Sequence, residues 1–169
     1  PNAPVTNVSW FAAKSYCECQ GKRLPTMDEW EFAAMADETT ADARSKKGYN
    51  QYILGWYEAP HTYKKPIGST FKNYWGIYDL HGLVWEWTSD FNSVLLSGES
   101  RKGNDEDANL FCGAAAIGAT DLMNYAAFMR YAFRASIQAN YTVQNLGFRC
   151  ARDGKNKDSA PKLSLNSTK

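Results

Sequence analysis

Four cysteines, two histidines and one short run carrying two carboxylates are the residues of this chain best equipped for chemistry. Cys17 and Cys19 are separated by a single residue, so they are not the C-x-x-C pair of redox or zinc-ribbon motifs, and Cys112 and Cys150 supply no second close pair. A tetrahedral thiolate zinc site is therefore disfavoured. The even count suits disulfides in an exported chain and equally suits buried free thiols in a reducing compartment. His61 and His81 are too few for a three-histidine iron or zinc centre; no H-E-x-x-H helix exists, and neither histidine has a G-x-S-x-G elbow beside it. Both are expected to be structural or surface residues, with His81 the more interesting because it precedes Gly82 in the segment densest in rings.

That segment, Asp79-Leu80-His81-Gly82-Leu83-Val84-Trp85-Glu86-Trp87, places two carboxylates seven residues apart around a turn-forming glycine. A loop curling there could present both carboxylates and some backbone carbonyls, the hard oxygens that calcium prefers. The alternative is an Asx turn at Asp79 and a salt bridge at Glu86. Asp105-Glu106-Asp107 reads as a solvated acidic surface. Asn7, Asn140 and Asn166 each head a match to the glycosylation sequon.

The elements that must position these groups are few. Ser9 can cap a helix running from Trp10 through Cys17 to a stop at Gly21. Thr26-Met27-Asp28-Glu29 is a capping box that opens a second helix with Trp30, Ala33 and Ala34 on one face. From Asp37 to Lys72 the chain is polar and marked by Gly and Pro, which predicts loop with one short strand near Tyr52 to Trp56. Tyr74 to Thr88 predicts short strand pieces around a turn, and Leu146 to Cys150 a last strand. Asp121 to Ile137 fits helix or extended chain, and Arg130 and Arg134 share a face in either. The tail from Asp153 to Lys169 is expected to be flexible.

Composition sets the outer limits. The 169 residues fit one domain, and 44% hydrophobic content is enough to build a core. A net charge of +1 without a long basic run argues against nucleic acid as a partner. No apolar stretch approaches the length needed to span a bilayer. Aromatic residues make up 14% of the chain while Leu, Ile and Val are sparse, so rings must supply much of the burial. The chain opens on Pro1, which predicts a processed chain or a fragment.

Four ordered blocks carry a resemblance. They are Pro4-Val5-Thr6-Asn7-Val8-Ser9-Trp10; Gly21-Lys22-Arg23-Leu24-Pro25-Thr26 with Glu29-Trp30-Glu31-Phe32-Ala33; Gly76-Ile77-Tyr78-Asp79 with Gly82-Leu83-Val84-Trp85-Glu86-Trp87; and Gly147-Phe148-Arg149-Cys150. In that order they resemble the formylglycine-generating enzyme (sulfatase-modifying factor) family. The resemblance implies an α+β fold related to C-type lectins, low in regular structure, with two helices near the N-terminus and short antiparallel strands. It would span residues 1–152, lacking the family's N-terminal part, followed by the tail 153–169. The family's calcium loop falls on the Asp79 and Glu86 carboxylates and the Gly82 and Val84 carbonyls, implying one structural calcium. Its disulfide falls on Cys17 and Cys150. Cys19 stands where the family usually has Trp, and Cys112 is its candidate partner.

The sequence departs from the family at the oxygen-activating centre. Family members hold copper(I) with two cysteines five residues apart, and soft thiolates suit that ion. The corresponding stretch here is Phe111-Cys112-Gly113-Ala114-Ala115-Ala116, with no second cysteine before Cys150. Copper and sulfatase activation are therefore not expected. The ring-rich loop, Phe111-Cys112-Gly113 and Phe128-Met129-Arg130-Tyr131-Ala132-Phe133-Arg134 are similar to a bacterial branch associated with copper nitrite reductase gene clusters. The resulting expectation is a periplasmic or secreted, calcium-stabilised accessory or protein-binding module. Its partner would be a protein, a peptide or the missing N-terminal segment, and His81, Arg130 and Arg134 would line the binding cleft. The alternatives are an oxidase that uses Cys112 and a lectin-like ligand binder.

Overall fold

The computed structural model describes residues 2–92 and 122–154. Helix α1 (Trp10–Cys19) starts where the Ser9 hydroxyl accepts from the Ala12 N–H, and it ends at Gln20 before Gly21, whose φ of +64° suits glycine. Helix α2 (Met27–Ala34) opens on the full capping box: Thr26 accepts from the Glu29 N–H at 3.2 Å, and Glu29 accepts from the Thr26 N–H at 2.9 Å. Both elements follow from contacts three residues apart.

Residues 47–58, expected to be loop with a strand near Tyr52 to Trp56, instead form helix α3 (Lys47–Glu58). The buried residues Tyr49, Ile53 and Trp56 sit at helical spacing, and their burial outweighs the low propensity of Gly48 and Gly55 and the missing side-chain cap at Lys46. The ambiguous stretch after Asp121 is likewise helical, α4 (Leu122–Ser136), and it packs against α3. Of the pieces expected between Tyr74 and Thr88, only β1 (Trp85–Trp87) is a strand, with an isolated bridge joining Lys72 and Tyr78.

The last strand, β2 (Leu146–Phe148), pairs with β1 in parallel, Trp85 opposite Leu146 and Trp87 opposite Phe148. This corrects the expected antiparallel arrangement. Antiparallel partners can be joined by a tight hairpin, whereas parallel ones need a long crossover, and here the connection runs through α4. Antiparallel contact among the described residues is confined to two isolated bridges, Lys72 with Tyr78 and Arg23 with Ala151.

The core is divided into three clusters. One gathers Ala13, Cys17, Leu24, Trp87 and Leu146 between α1 and the sheet; a second joins Tyr49 and Ile53 of α3 to Ala126 of α4; a third packs Trp30 and Ala34 on Leu80. Rings hold these clusters together, with Trp85 stacked between Tyr57 and Phe133 at centroid distances of 5.0 and 4.4 Å.

Candidate functional site

The cysteines divide into a bonded pair and a remainder. Cys17, buried on α1, is joined to Cys150 just beyond β2. Beside this bond Arg23 and Ala151 exchange both backbone hydrogen bonds, and Arg23 pairs with Glu29 and Asp153. The first residue of the expected flexible tail is thus tied to the domain, and residues 155–169 lie outside the described residues. Cys19 is an exposed free thiol. Cys112 lies outside the described residues.

The loop from Asp79 to Glu86 is held at both ends by protein donors. Asp79 sits in the left-handed region at φ +60°, and its carboxylate accepts from the Gly68 N–H, the Thr70 N–H and the Thr70 hydroxyl. Glu86, with a side chain only 5% exposed, accepts from Trp30 Nε1 at 2.8 Å and from two Arg149 nitrogens at 2.6 and 2.7 Å. At Gly82, φ is +98° and an added Cβ would lie 2.5 Å from the Tyr52 hydroxyl, so only glycine fits the turn. Two carboxylates and two carbonyls are the donor chemistry of calcium. However, three donors on each carboxylate leave about one of four lone-pair positions open, and the Arg149 guanidinium already neutralises Glu86. A calcium ion at Glu86 must compete with Arg149. Among the described residues no group of three or more His, Cys, Asp or Glu side chains gathers around a metal position.

His81, Arg130 and Arg134 are brought together, but in the interior. His81 is 1% exposed, set edge-on against Trp30, Tyr49 and Trp56, with Nε2 donating to the Ala34 carbonyl at 3.0 Å. Burial, aided by the Arg130 charge, pushes its pKa down to about 3, so the ring is neutral at any physiological pH. Arg130 grips Glu31 through Nε and Nη2 at 2.7 to 3.0 Å and donates to the Tyr57 hydroxyl. Arg134 donates to Glu31 Oε1 at 2.6 Å, sharing that oxygen with Arg130 Nε. Both guanidiniums also lie over the Trp30 ring, 5.9 and 5.0 Å from its centroid. The three residues expected to line a binding cleft thus lie buried, the two arginines in a packed ion-pair network with Glu31. Burial raises the Glu31 carboxyl, and the two arginines more than offset it, holding it below the ordinary carboxylate range.

Glu31 and Arg149 are the site residues that sequence reasoning missed. One signal was present: two arginines four apart on a ring-rich helix require an anion, and the Glu-Trp-Glu run on α2 offers one. An actual cavity of about 400 Å³ lies elsewhere, between the end of α3, the Pro60–Tyr63 turn, Leu83 to Trp85, and Gln144 with Asn145.

A sequence profile described as "Sulfatase-modifying factor enzyme 1-like domain" matches residues 1–154. The chain belongs to that family. It is 33% identical to the formylglycine-generating enzyme of Streptomyces coelicolor, over 90% of this chain and 54% of the relative. It is 34% identical to the inactive C-alpha-formylglycine-generating enzyme 2 of Bos taurus, over 88% of this chain and 50% of the relative. The formylglycine-generating enzyme of Bos taurus is 30% identical, over 90% and 45%. The chain thus spans about half the length of these curated relatives. No helix among its described residues is long and apolar enough to cross a membrane.

Proposed function

We propose that the chain is a non-activating member of the family, an exported accessory module that binds a protein or peptide and carries no copper dithiolate. The observation that carries this reading is the fate of the cysteines. Two of the four are consumed by the Cys17–Cys150 bond, which leaves Cys19 and Cys112. One of these is an exposed residue near the end of α1, and a single cysteine stands in the stretch where the family places a pair. One thiolate cannot form a two-thiolate linear copper(I) site. Identity does not decide the matter, because 33% to an enzyme and 34% to a protein named inactive are equivalent.

The disulfide supports a periplasmic or secreted location, since such bonds persist in oxidising compartments. A partner surface is supported by exposed rings on α2 and on the Asn73–Gly76 turn, where Phe32 and Trp75 stack at 5.5 Å and are 57% and 44% exposed. In this reading calcium is a structural ion on the Asp79 to Glu86 loop of a lectin-related fold, displacing part of the Arg149 contact.

The deciding experiment supplies the protein with copper(I), oxygen and a cysteine-containing peptide, with an active family member run in parallel. The expected result is neither aldehyde nor oxygen consumption above the blank; conversion of the peptide cysteine would overturn the reading. Because Cys19 forms no disulfide among the described residues, a thiol-dependent oxidase built on Cys112 is the second reading. Thiol counting on the denatured, unreduced protein separates them: a Cys19–Cys112 disulfide favours the inert scaffold, and a free reactive Cys112 favours chemistry.

A further inference from the structure

We infer that the cavity beyond the end of α3 is a binding site for an uncharged saccharide. This goes beyond the proposed accessory role and stands without it.

The cavity's volume of about 400 Å³ falls within the range of small-molecule sites, roughly 300–1,000 Å³. Its lining is of two chemical kinds. Trp56, Tyr57 and Trp85 are packed on one another at 5.0 to 5.3 Å, with Trp85 held between Tyr57 and Phe133. His61, Tyr63, Gln144 and Asn145 line it as well, and their side chains offer hydrogen-bond donors and acceptors.

The polar lining is organised and not merely present. The Tyr63 hydroxyl donates to Gln144 Oε1 at 3.0 Å and lies 3.1 Å from His61 Nδ1. Since the hydroxyl proton goes to Gln144, the 3.1 Å contact requires His61 to donate through Nδ1. The Gln144 amide nitrogen donates to no group among the described residues, and the Asn145 side chain makes no hydrogen bond with them. His61 is held in the left-handed region at φ +58°, a conformation that disfavours a non-glycine residue and persists only where its surroundings enforce it.

The ligand class follows from what is matched and what is missing. Among the described residues no Asp, Glu, Lys or Arg lines the cavity, so a formally charged ligand would lose hydration without gaining a counter-charge from them. A purely apolar ligand would strand the amides. A pyranose has an apolar C–H face for the rings and a rim of hydroxyls for the amides, His61 and Tyr63.

The test titrates methyl glycosides of neutral hexoses and N-acetylhexosamines, and their disaccharides, to about 10 mM. Binding is followed by tryptophan fluorescence and by saturation transfer to the sugar protons. At least one saccharide should saturate the protein, and hexose phosphates should bind at least about ten-fold more weakly. Tyr63→Phe and Gln144→Ala should each weaken binding about five-fold, the factor for one lost hydrogen bond, without changing the melting temperature in the case of Gln144→Ala. Excess chelator should have no effect. The inference fails if no saccharide saturates, if both variants bind as well as the parent, if chelator abolishes binding, or if only peptides perturb the tryptophans in a Tyr63-dependent way.

Discussion

Replacing Glu31 with Gln removes one negative charge and almost no volume, and its cost can be worked from the contacts. The Arg130 and Arg134 side chains are 3% and 7% exposed, and Glu31 is the anion that both of them hold. Removing one partner of a buried ion pair costs about 3–5 kcal/mol, because the remaining charge stays buried without compensation. Here two guanidiniums are orphaned, which raises the cost. Glu31 itself is 32% exposed and the Trp30 ring still faces both cations, which lowers it. The expected loss is about 3 kcal/mol, read from urea unfolding followed by tryptophan fluorescence with the disulfide intact. Arg134→Met alone should cost about 1 kcal/mol, and in the Glu31→Gln background it should cost less or restore stability, because it removes an unpaired charge. The carboxyl titrates lower in the folded protein than its unfolded value of 4.5. Its stabilisation is therefore complete above that value and lost as pH falls below it, so Glu31→Gln should flatten the acid limb of the stability curve. A cost below about 1 kcal/mol, or strict additivity of the two substitutions, would refute the network.

Three further outcomes follow from other contacts. Cys17→Ala with Cys150→Ala opens a loop of 133 residues, for which chain entropy gives a loss of about 5 kcal/mol, and an unchanged urea midpoint would sink that account. His81 has its folded pKa depressed to about 3, so the unfolded chain takes up a proton first as pH falls below 6.5; about 1.4 kcal/mol per pH unit should be lost from there down toward pH 3. His81→Phe keeps the ring packing and should remove that slope, so an identical slope in the variant counts against the assignment. For calcium, Glu86→Gln also breaks the Arg149 pair, and the quantity to read is the calcium-dependent increment: about 2.7 kcal/mol at 100 times Kd for the parent and near zero for the variant. Equal increments, or none in the parent, remove Glu86 from the ligand set.

The parts of this structure legible in sequence are those decided by neighbours. Ser9 with Ala12 and Thr26 with Glu29 close their bonds within one turn, so the starts of α1 and α2 can be read without tertiary information. α3 shows the limit. Tyr49, Ile53 and Trp56 have helical spacing, but Gly48, Gly55 and the uncapped Lys46 hide it, and only packing on Ala126 reveals which signal prevails. The parallel register of β1 with β2 depends on a crossover whose path is not a local property. The salt bridge at Glu86 was readable as an alternative to a metal, whereas its partner Arg149, 63 residues away, was not. The cavity beyond α3 was invisible because its lining comes from separate segments, none with a motif of its own.

The aromatic excess that first suggests an unusual core has a more specific role around α2. Trp30 donates its indole N–H to Glu86, which holds Arg149 at the end of the sheet, while its ring faces Arg130 and Arg134 of α4. Its neighbour Glu31 supplies the anion for those two arginines. One dipeptide, Trp30-Glu31, therefore joins α2 to both β1 and α4, elements separated from it by about 55 to 100 residues. With three residue pairs in the sheet of the described residues, a ladder does not supply these connections. The fold relies on buried ion pairs laid over rings, which are directional and costly to leave half-made.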